Sequence, residues 1–203
     1  MVDQLGLFAG DVPTGPGLEL RIWRGGLADA DDHLAAVLAG VAWEQHHLTM
    51  FGKRVAVPRL ECWIGDPGCT YTYSGIRLEP RPWPPAVAAV RAEVEGLVGE
   101  RFDCVLANRY RDGDDGVAWH ADDEPELGPE PVIASVSLGA PRPFQLRRRD
   151  DPAERREIVL GHGDVLVMSG RTQAEWVHRI PRTKRPVGAR VNLTFRRIGA
   201  ARS

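Results

Sequence analysis

The chain has 203 residues, 43% hydrophobic and 27% charged, with a formal net charge of −2, the make-up of an ordinary soluble globular protein of one domain. It lacks a run of about 18 apolar residues and a charged leader before an apolar core, which excludes a membrane span and a secretory signal; the cytoplasm or nucleoid is the expected location. Cys62, Cys69 and Cys104 are odd in number and lack C-x-x-C spacing, which excludes a disulfide framework and a structural zinc site and predicts buried or part-buried thiols.

Residues 1–17 mix Gly and Pro with few periodic apolar positions and read as a flexible leader. The run DADDHLAAVLAG, Asp29 to Gly40, predicts a helix with acids in its first turn and Gly at its end. Residues 51–82 hold Gly, Pro and Tyr without a period, as expected of loops and short strands. A second helix is predicted from Pro84 to Val98, with proline at its start and Val87, Val90, Val94 and Leu97 at 3–4 spacing.

Beyond Arg101 the pattern becomes that of short strands: Cys104–Tyr110, Val132–Leu138, Phe144–Arg148, Arg156–Leu160, Asp164–Met168, Trp176–Ile180 and Arg190–Arg197. Turn-forming residues separate them at 112–116, 139–143, 161–163 and 169–172. The last strand alternates, with Val191, Leu193 and Phe195 opposed by Arg190, Asn192, Thr194 and Arg196, so one face packs and the other is polar. Strands at this spacing predict a mostly β fold with flanking helices, a sandwich or jelly roll. Three segments are expected within one domain: the leader 1–17, an N-terminal extension over 18–100, and a β-strand core over 101–203.

Chemistry concentrates in WHADDE, residues 119–124. His120 and Asp122, two apart on an extended chain, point to one side and can chelate one ion; His178 follows 56 residues later in a strand. Two histidines and a carboxylate form a facial triad with open positions, the ligand set of non-heme iron(II) oxygenases. Arg190 and Arg196 share the polar face of the last strand with Asn192. Guanidinium groups turned into a barrel require an anion, and a dicarboxylate would supply one through charge-assisted, bidentate hydrogen bonds.

NRYRDGDDGVAWHADDE (108–124), His178 and RVNLTFR (190–196) together resemble the signature of the AlkB dioxygenases. MFGKRVAVPR (50–59) and CTYTYSGIRLEPRPW (69–83) extend the resemblance, toward AlkB relatives that repair double-stranded DNA rather than the founding bacterial enzyme. The resemblance covers roughly residues 45–198. It implies a double-stranded β-helix (jelly-roll) core with Fe(II) on His120, Asp122 and His178. It also implies 2-oxoglutarate on Asn108, Tyr110, Arg190, Asn192 and Arg196, with O2 as second co-substrate and Arg196 beside the iron. The implied reaction removes methyl groups from 1-methyladenine and 3-methylcytosine in DNA, duplex rather than single strand, releasing formaldehyde, succinate and CO2; an AlkB relative acting on RNA is the alternative.

A base in a duplex must be flipped to reach such a site. The resemblance implies Phe51 as the wedge filling the vacated stack, Tyr71 and Tyr73 as pocket walls, and Asp123 and Glu124 as partners of the exocyclic amine. Tyr73 adds a hydroxyl where the relatives have Phe. Arg59 is expected at a phosphate or the base. Phosphates are expected at Lys53, Arg54, Arg147, Arg148, Arg149, Arg182, Lys184 and Arg185. The net charge conceals a split that suits this: residues 141–203 carry 15 Lys/Arg against 6 Asp/Glu, the rest 11 against 22. Finally, Gln4, Leu5, Gly6, Leu7 and Phe8 are similar to the bacterial sliding-clamp-binding pentapeptide, with Gly6 where Ser or Asp is favoured. A monomer tethered to a clamp is expected.

Overall fold

The computed structural model describes residues 12–50, 52–73 and 76–198. In chain order the strands are β1 (Glu19–Trp23), β2 (His47–Met50), β3 (Lys53–Ala56), β4 (Leu60–Gly65), β5 (Tyr71–Tyr73), β6 (Ile76–Leu78), β7 (Cys104–Tyr110), β8 (Val117–His120), β9 (Ile133–Gly139), β10 (Arg142–Arg148), β11 (Arg155–Leu160), β12 (Asp164–Ser169), β13 (Trp176–Ile180) and β14 (Arg190–Arg196). The helices are α1 (Ala30–Gly40), α2 (Pro85–Val98) and the single turn α3 (Thr172–Glu175). Among the described residues no helix is long and apolar enough to cross a membrane.

Ten strands form two antiparallel sheets, a six-stranded one ordered β1-β12-β9-β14-β7-β4 and a four-stranded one ordered β11-β10-β13-β8. This is the jelly-roll architecture expected from the strand spacing. The hairpins β2–β3 and β5–β6 stand outside both sheets. Residue 100 does not separate two sheets: β1 and β4, from before it, pair with β12 and β7 and close the edges of the larger sheet.

The alternation of β14 explains how the site is placed. Val191, Leu193 and Phe195 are fully buried with Val87, Val90 and Val94 of α2 and Val37 of α1 in one core. Each such side chain contributes roughly 1.5–3 kcal/mol by leaving water. The opposite face of the same strand, Arg190, Asn192, Thr194 and Arg196, lines a cleft between the sheets. A second core, with Phe144, Leu146, Ile158, Leu166, Met168 and Trp176, fills the rest of that interior.

Local signals set the boundaries. Pro84 precedes α2, and Gly99 ends it at φ 79, where its N–H closes on the Glu95 carbonyl. α1 starts after Asp29, which lies in the left-handed region without a side-chain cap. The three thiols are buried and free, and burial pushes the Cys62 thiol up to about 11. Among the elements the sequence did not predict are β1 and β2, together with β8 and α3. β8 exists because it pairs with β13, and the turn expected at 169–172 continues into α3, whose Gln173 reaches the cleft wall.

Candidate metal centre and co-substrate pocket

β8 and β13 are neighbours, and their register sets His120 opposite His178. The two rings lie 4.3 Å apart between centroids at 59°, and Phe144 packs on His178 at 5.1 Å. Asp122 follows just past the end of β8, its backbone N–H donating to Oε1 of Gln173 at 2.9 Å. Ligand atoms of His120, Asp122 and His178 all lie within 4.8 Å of one another, so these residues could hold one metal ion. His120 Nδ1 is 2.8 Å from the Ala118 carbonyl. With the proton on Nδ1, Nε2 keeps its lone pair for a metal.

The electrostatics fit that use. Burial pushes the Asp122 carboxyl up, but the Arg196 guanidinium and both imidazoles outweigh it and hold the pKa at about 2. Burial, His120 and Arg196 push His178 down to about 3 despite Asp122, and burial lowers His120 as well. At neutral pH the site is therefore one carboxylate and two neutral imidazoles, the protonation state that metals require.

Beside it, β14 lies antiparallel to β7 with Arg190 opposite Tyr110 and Asn192 opposite Asn108. The Arg190 side chain is 1% exposed and its Nη2 donates to Oγ of Ser137 at 2.9 Å. Its guanidinium stands 5.2 Å from the Tyr110 ring. Among the described residues its Nε and Nη1 meet no hydrogen-bond acceptor. Burial holds its pKa below the usual guanidinium value, Tyr110 opposing and Arg142 adding to the shift. Two buried N–H groups without acceptors in a cleft with a metal-ligand set fit a carboxylate ligand. Asn192 is engaged by the protein, its Nδ2 donating to Ser135 Oγ and the Val136 carbonyl and its Oδ1 accepting from Thr194. Asn108 accepts from Arg59 Nε at 2.8 Å.

A profile of the 2OG-Fe(II) oxygenase superfamily matches residues 27–196, which include every strand of both sheets except β1 and all residues lining the cleft. The chain belongs to this superfamily. The oxygenase is 46% identical over 156 residues, 73% of its length and 60% of the relative's, to the Homo sapiens protein named DNA oxidative demethylase ALKBH2. It is 41% identical over 181 residues, 85% of its length and 61% of the relative's, to the Rattus norvegicus alpha-ketoglutarate-dependent dioxygenase alkB homolog 3. The AlkB resemblance of the motifs is borne out by these relatives, of whose length the oxygenase spans about three fifths. The solved structure of OsALKBH1 superposes with a TM-score of 0.62 at 18% identity, covering 88% of the oxygenase and 97% of that chain, and supports the fold.

The remaining expected residues of the oxygenase are distributed as follows. Phe51 and the peptide Gln4, Leu5, Leu7, Phe8 lie outside the described residues. Tyr71 and Tyr73 lie on β5, in register with Leu78 and Ile76 of β6. Arg59, expected at a phosphate or the base, is 5% exposed, paired to Glu61 at 2.5 Å, and lines both the cleft beside Asn108 and the apolar groove that runs to His120. Asp123 is exposed and bound to Arg149 at 2.5 Å, while Glu124 immediately precedes a 3-10 turn. Arg148 is held by Asp150 and Glu154, and Arg147 lies 4.6 Å over Trp119. Lys53, Arg54, Arg182, Lys184 and Arg185 are exposed. An apolar groove lined by Leu48, Val55, Val57, Pro58 and Trp119 runs from the β2–β3 hairpin to His120, with Arg182 beside it.

Arg142 escaped the sequence reading. It is 1% exposed, donates to the carbonyls of Asp112, Asp115 and Pro181, and brings its guanidinium carbon to 5.8 Å from the Tyr110 ring centroid. A lone Arg between two prolines carries no periodic signal. Ser135, Ser137 and Gln173 were also missed, because small or neutral polar side chains on apolar strands and turns do not announce their partners.

Proposed function

We propose that this oxygenase is an Fe(II)- and 2-oxoglutarate-dependent demethylase of N-alkylated bases in DNA, with duplex preferred. One observation carries the reading: the His120, Asp122, His178 cluster opens on the same cleft as the two acceptor-less N–H groups of Arg190. In this reading His120, Asp122 and His178 hold Fe(II). Arg190, Tyr110, Asn108, Asn192 and Arg196 form the co-substrate pocket, with Arg190 taking the distal carboxylate. Iron and 2-oxoglutarate, when bound, supply the activation of O2 that oxidises a C–H bond while the co-substrate becomes succinate and CO2. An N-methyl carbon oxidised in this way leaves as formaldehyde, and the base regains its hydrogen.

The protein's own part is binding, orientation and exclusion of water. Arg196 keeps Asp122 ionised; Gln173 fixes its backbone; Phe144 sets the plane of His178. The base would enter along the apolar groove that ends at His120, with Phe51 as wedge and Tyr71, Tyr73, Asp123 and Glu124 at the pocket mouth. The DNA assignment draws on the similarity to the protein named DNA oxidative demethylase.

Mass spectrometry of a duplex carrying one 3-methylcytosine tests the reading. Loss of one methylene mass only with 2-oxoglutarate present is expected, and no loss would overturn it. Faster turnover of a methylated RNA in direct competition would reassign the substrate to RNA. The same reading places a monomeric enzyme in the cytoplasm at the nucleoid, tethered to a sliding clamp through Gln4, Leu5, Leu7 and Phe8. Equal clamp recovery by intact protein and a Leu7→Ala, Phe8→Ala variant would end the tether.

A further inference from the structure

β8 is the outermost strand of the four-stranded sheet and meets β13 at only two register positions, His178 with His120 and Ile180 with Val117, with an irregularity between them. Among the described residues, the hydrogen bond of the His120 ring, to Ala118, lies within its own strand. That contact turns the ring but does not fix the strand against the sheet. The distance between His120 and His178 therefore depends on whatever else ties β8 down.

Trp119, which also borders the apolar groove, provides such a tie on its side towards Gln145, Glu157 and Arg179. Arg179, next to His178, brings its guanidinium carbon 4.4 Å from the indole centroid, and Arg147 of β10 brings its own to 4.6 Å. Arg179 does not float there: its Nε donates to Gln145 Oε1 at 2.7 Å, and Gln145 Nε2 donates to Glu157 Oε2 at 2.7 Å. A line of side chains thus crosses all four strands, β11, β10, β13 and β8, and ends on the indole. Arg147 Nε is buried without an acceptor among the described residues, so stacking is the contact this guanidinium makes in place of a hydrogen bond there.

We propose that Trp119 is a positioning residue for His120: two arginines on its ring hold the edge strand in register, so the metal ligand stays opposite His178. The inference rests on the reading that His120 takes the iron. Partners outside the ligand set typically change metal affinity 10- to 100-fold when removed.

The test is an anaerobic Fe(II) titration of full-length protein with 2-oxoglutarate, followed by the visible charge-transfer absorbance, for wild type, Trp119→Ala and Trp119→Phe. Urea unfolding of the metal-free proteins runs alongside. Trp119→Ala is expected to weaken iron binding about tenfold, and Trp119→Phe, which keeps a ring for the guanidiniums, to recover most of the loss. If Trp119→Ala fails to fold, the Arg147→Met, Arg179→Met double variant keeps the indole and removes both stacking cations; weaker iron binding is again expected. Equal affinity in the folded variants overturns the inference and leaves the metal site standing. Weaker nucleic-acid binding at unchanged iron affinity also overturns it, and assigns this face to the substrate strand. Absence of the absorbance in wild type would instead sink the metal reading itself.

Discussion

Arg196 donates from Nη2 to Oδ1 of Asp122 over 2.7 Å, with both side chains only 4% exposed. The pair joins β14 to the candidate metal centre and carries a buried charge on each side. Removing one partner of such a pair leaves the other uncompensated, at a cost of about 3–5 kcal/mol, whereas removing both is often close to neutral. Arg196→Met should therefore destabilise the metal-free protein by roughly that amount in urea unfolding, and Arg196→Met with Asp122→Asn should regain most of it. Strictly additive losses would show that the two charges do not depend on each other.

The ligand set also fixes a pH dependence. His178 stays neutral when folded down to about pH 3, while an unfolded histidine takes up its proton near 6.5. Between those values the unfolded chain binds more protons, so stability falls as pH falls, by up to about 1.4 kcal/mol per pH unit. Asp122, held at about 2 when folded, acts in the same direction below about 3.9: its contribution is complete above that value and is lost on further acidification. Denaturant midpoints of the metal-free protein between pH 7 and 4 should show this slope. His178→Asn should flatten it; an unchanged slope would exclude His178 as the source.

For Arg190 two opposite effects are expected. Its buried cation has donors without acceptors among the described residues, so Arg190→Met should leave unfolding of the protein without co-substrate unchanged or raise its midpoint. The same variant should lose stabilisation by 2-oxoglutarate, which at 100 times its Kd is worth about 2.7 kcal/mol to wild type. Thermal unfolding with and without the co-substrate reads both effects. Retained stabilisation would place the co-substrate elsewhere.

Nucleic-acid binding should show a log–log salt slope of about −4 to −5, at about 0.9 per phosphate contact, because five cations of the expected set, Lys53, Arg54, Arg182, Lys184 and Arg185, are exposed. Arg148 and Arg149 are already held by carboxylates and Arg147 by an indole. Lys184→Ala with Arg185→Ala should reduce the slope by about 2. A slope near zero in wild type would argue against phosphate binding by this surface.

Much of the fold was legible where the residues themselves impose a period. β7 and β13 have the predicted bounds, and the alternation of β14 correctly separated its core face from its cleft face. β8 was not legible, because Val117–His120 has no apolar alternation and owes its strand to pairing with β13. The triad could be picked out because H-x-D spacing is local and His178 accompanies a recognisable strand. The surroundings of Arg59 were not legible: only the fold brings Glu61 and Asn108 to it. Trp119 and Arg142 gain their meaning from neighbours far away in the chain, and no spacing rule reaches that far.

The two borders of the larger sheet are supplied by β1 and β4, yet their partners β12 and β7 come later in the chain, and β1 reaches past all the strands from β2 to β11 to find β12. During synthesis β1 must wait for most of the polypeptide to emerge before it can pair, and such long-range closure is slow. A fragment starting at residue 101 would retain every candidate iron ligand but expose two raw strand borders, the kind that recruit other chains into aggregates. Halving this protein at that point should yield insoluble material rather than a smaller working enzyme.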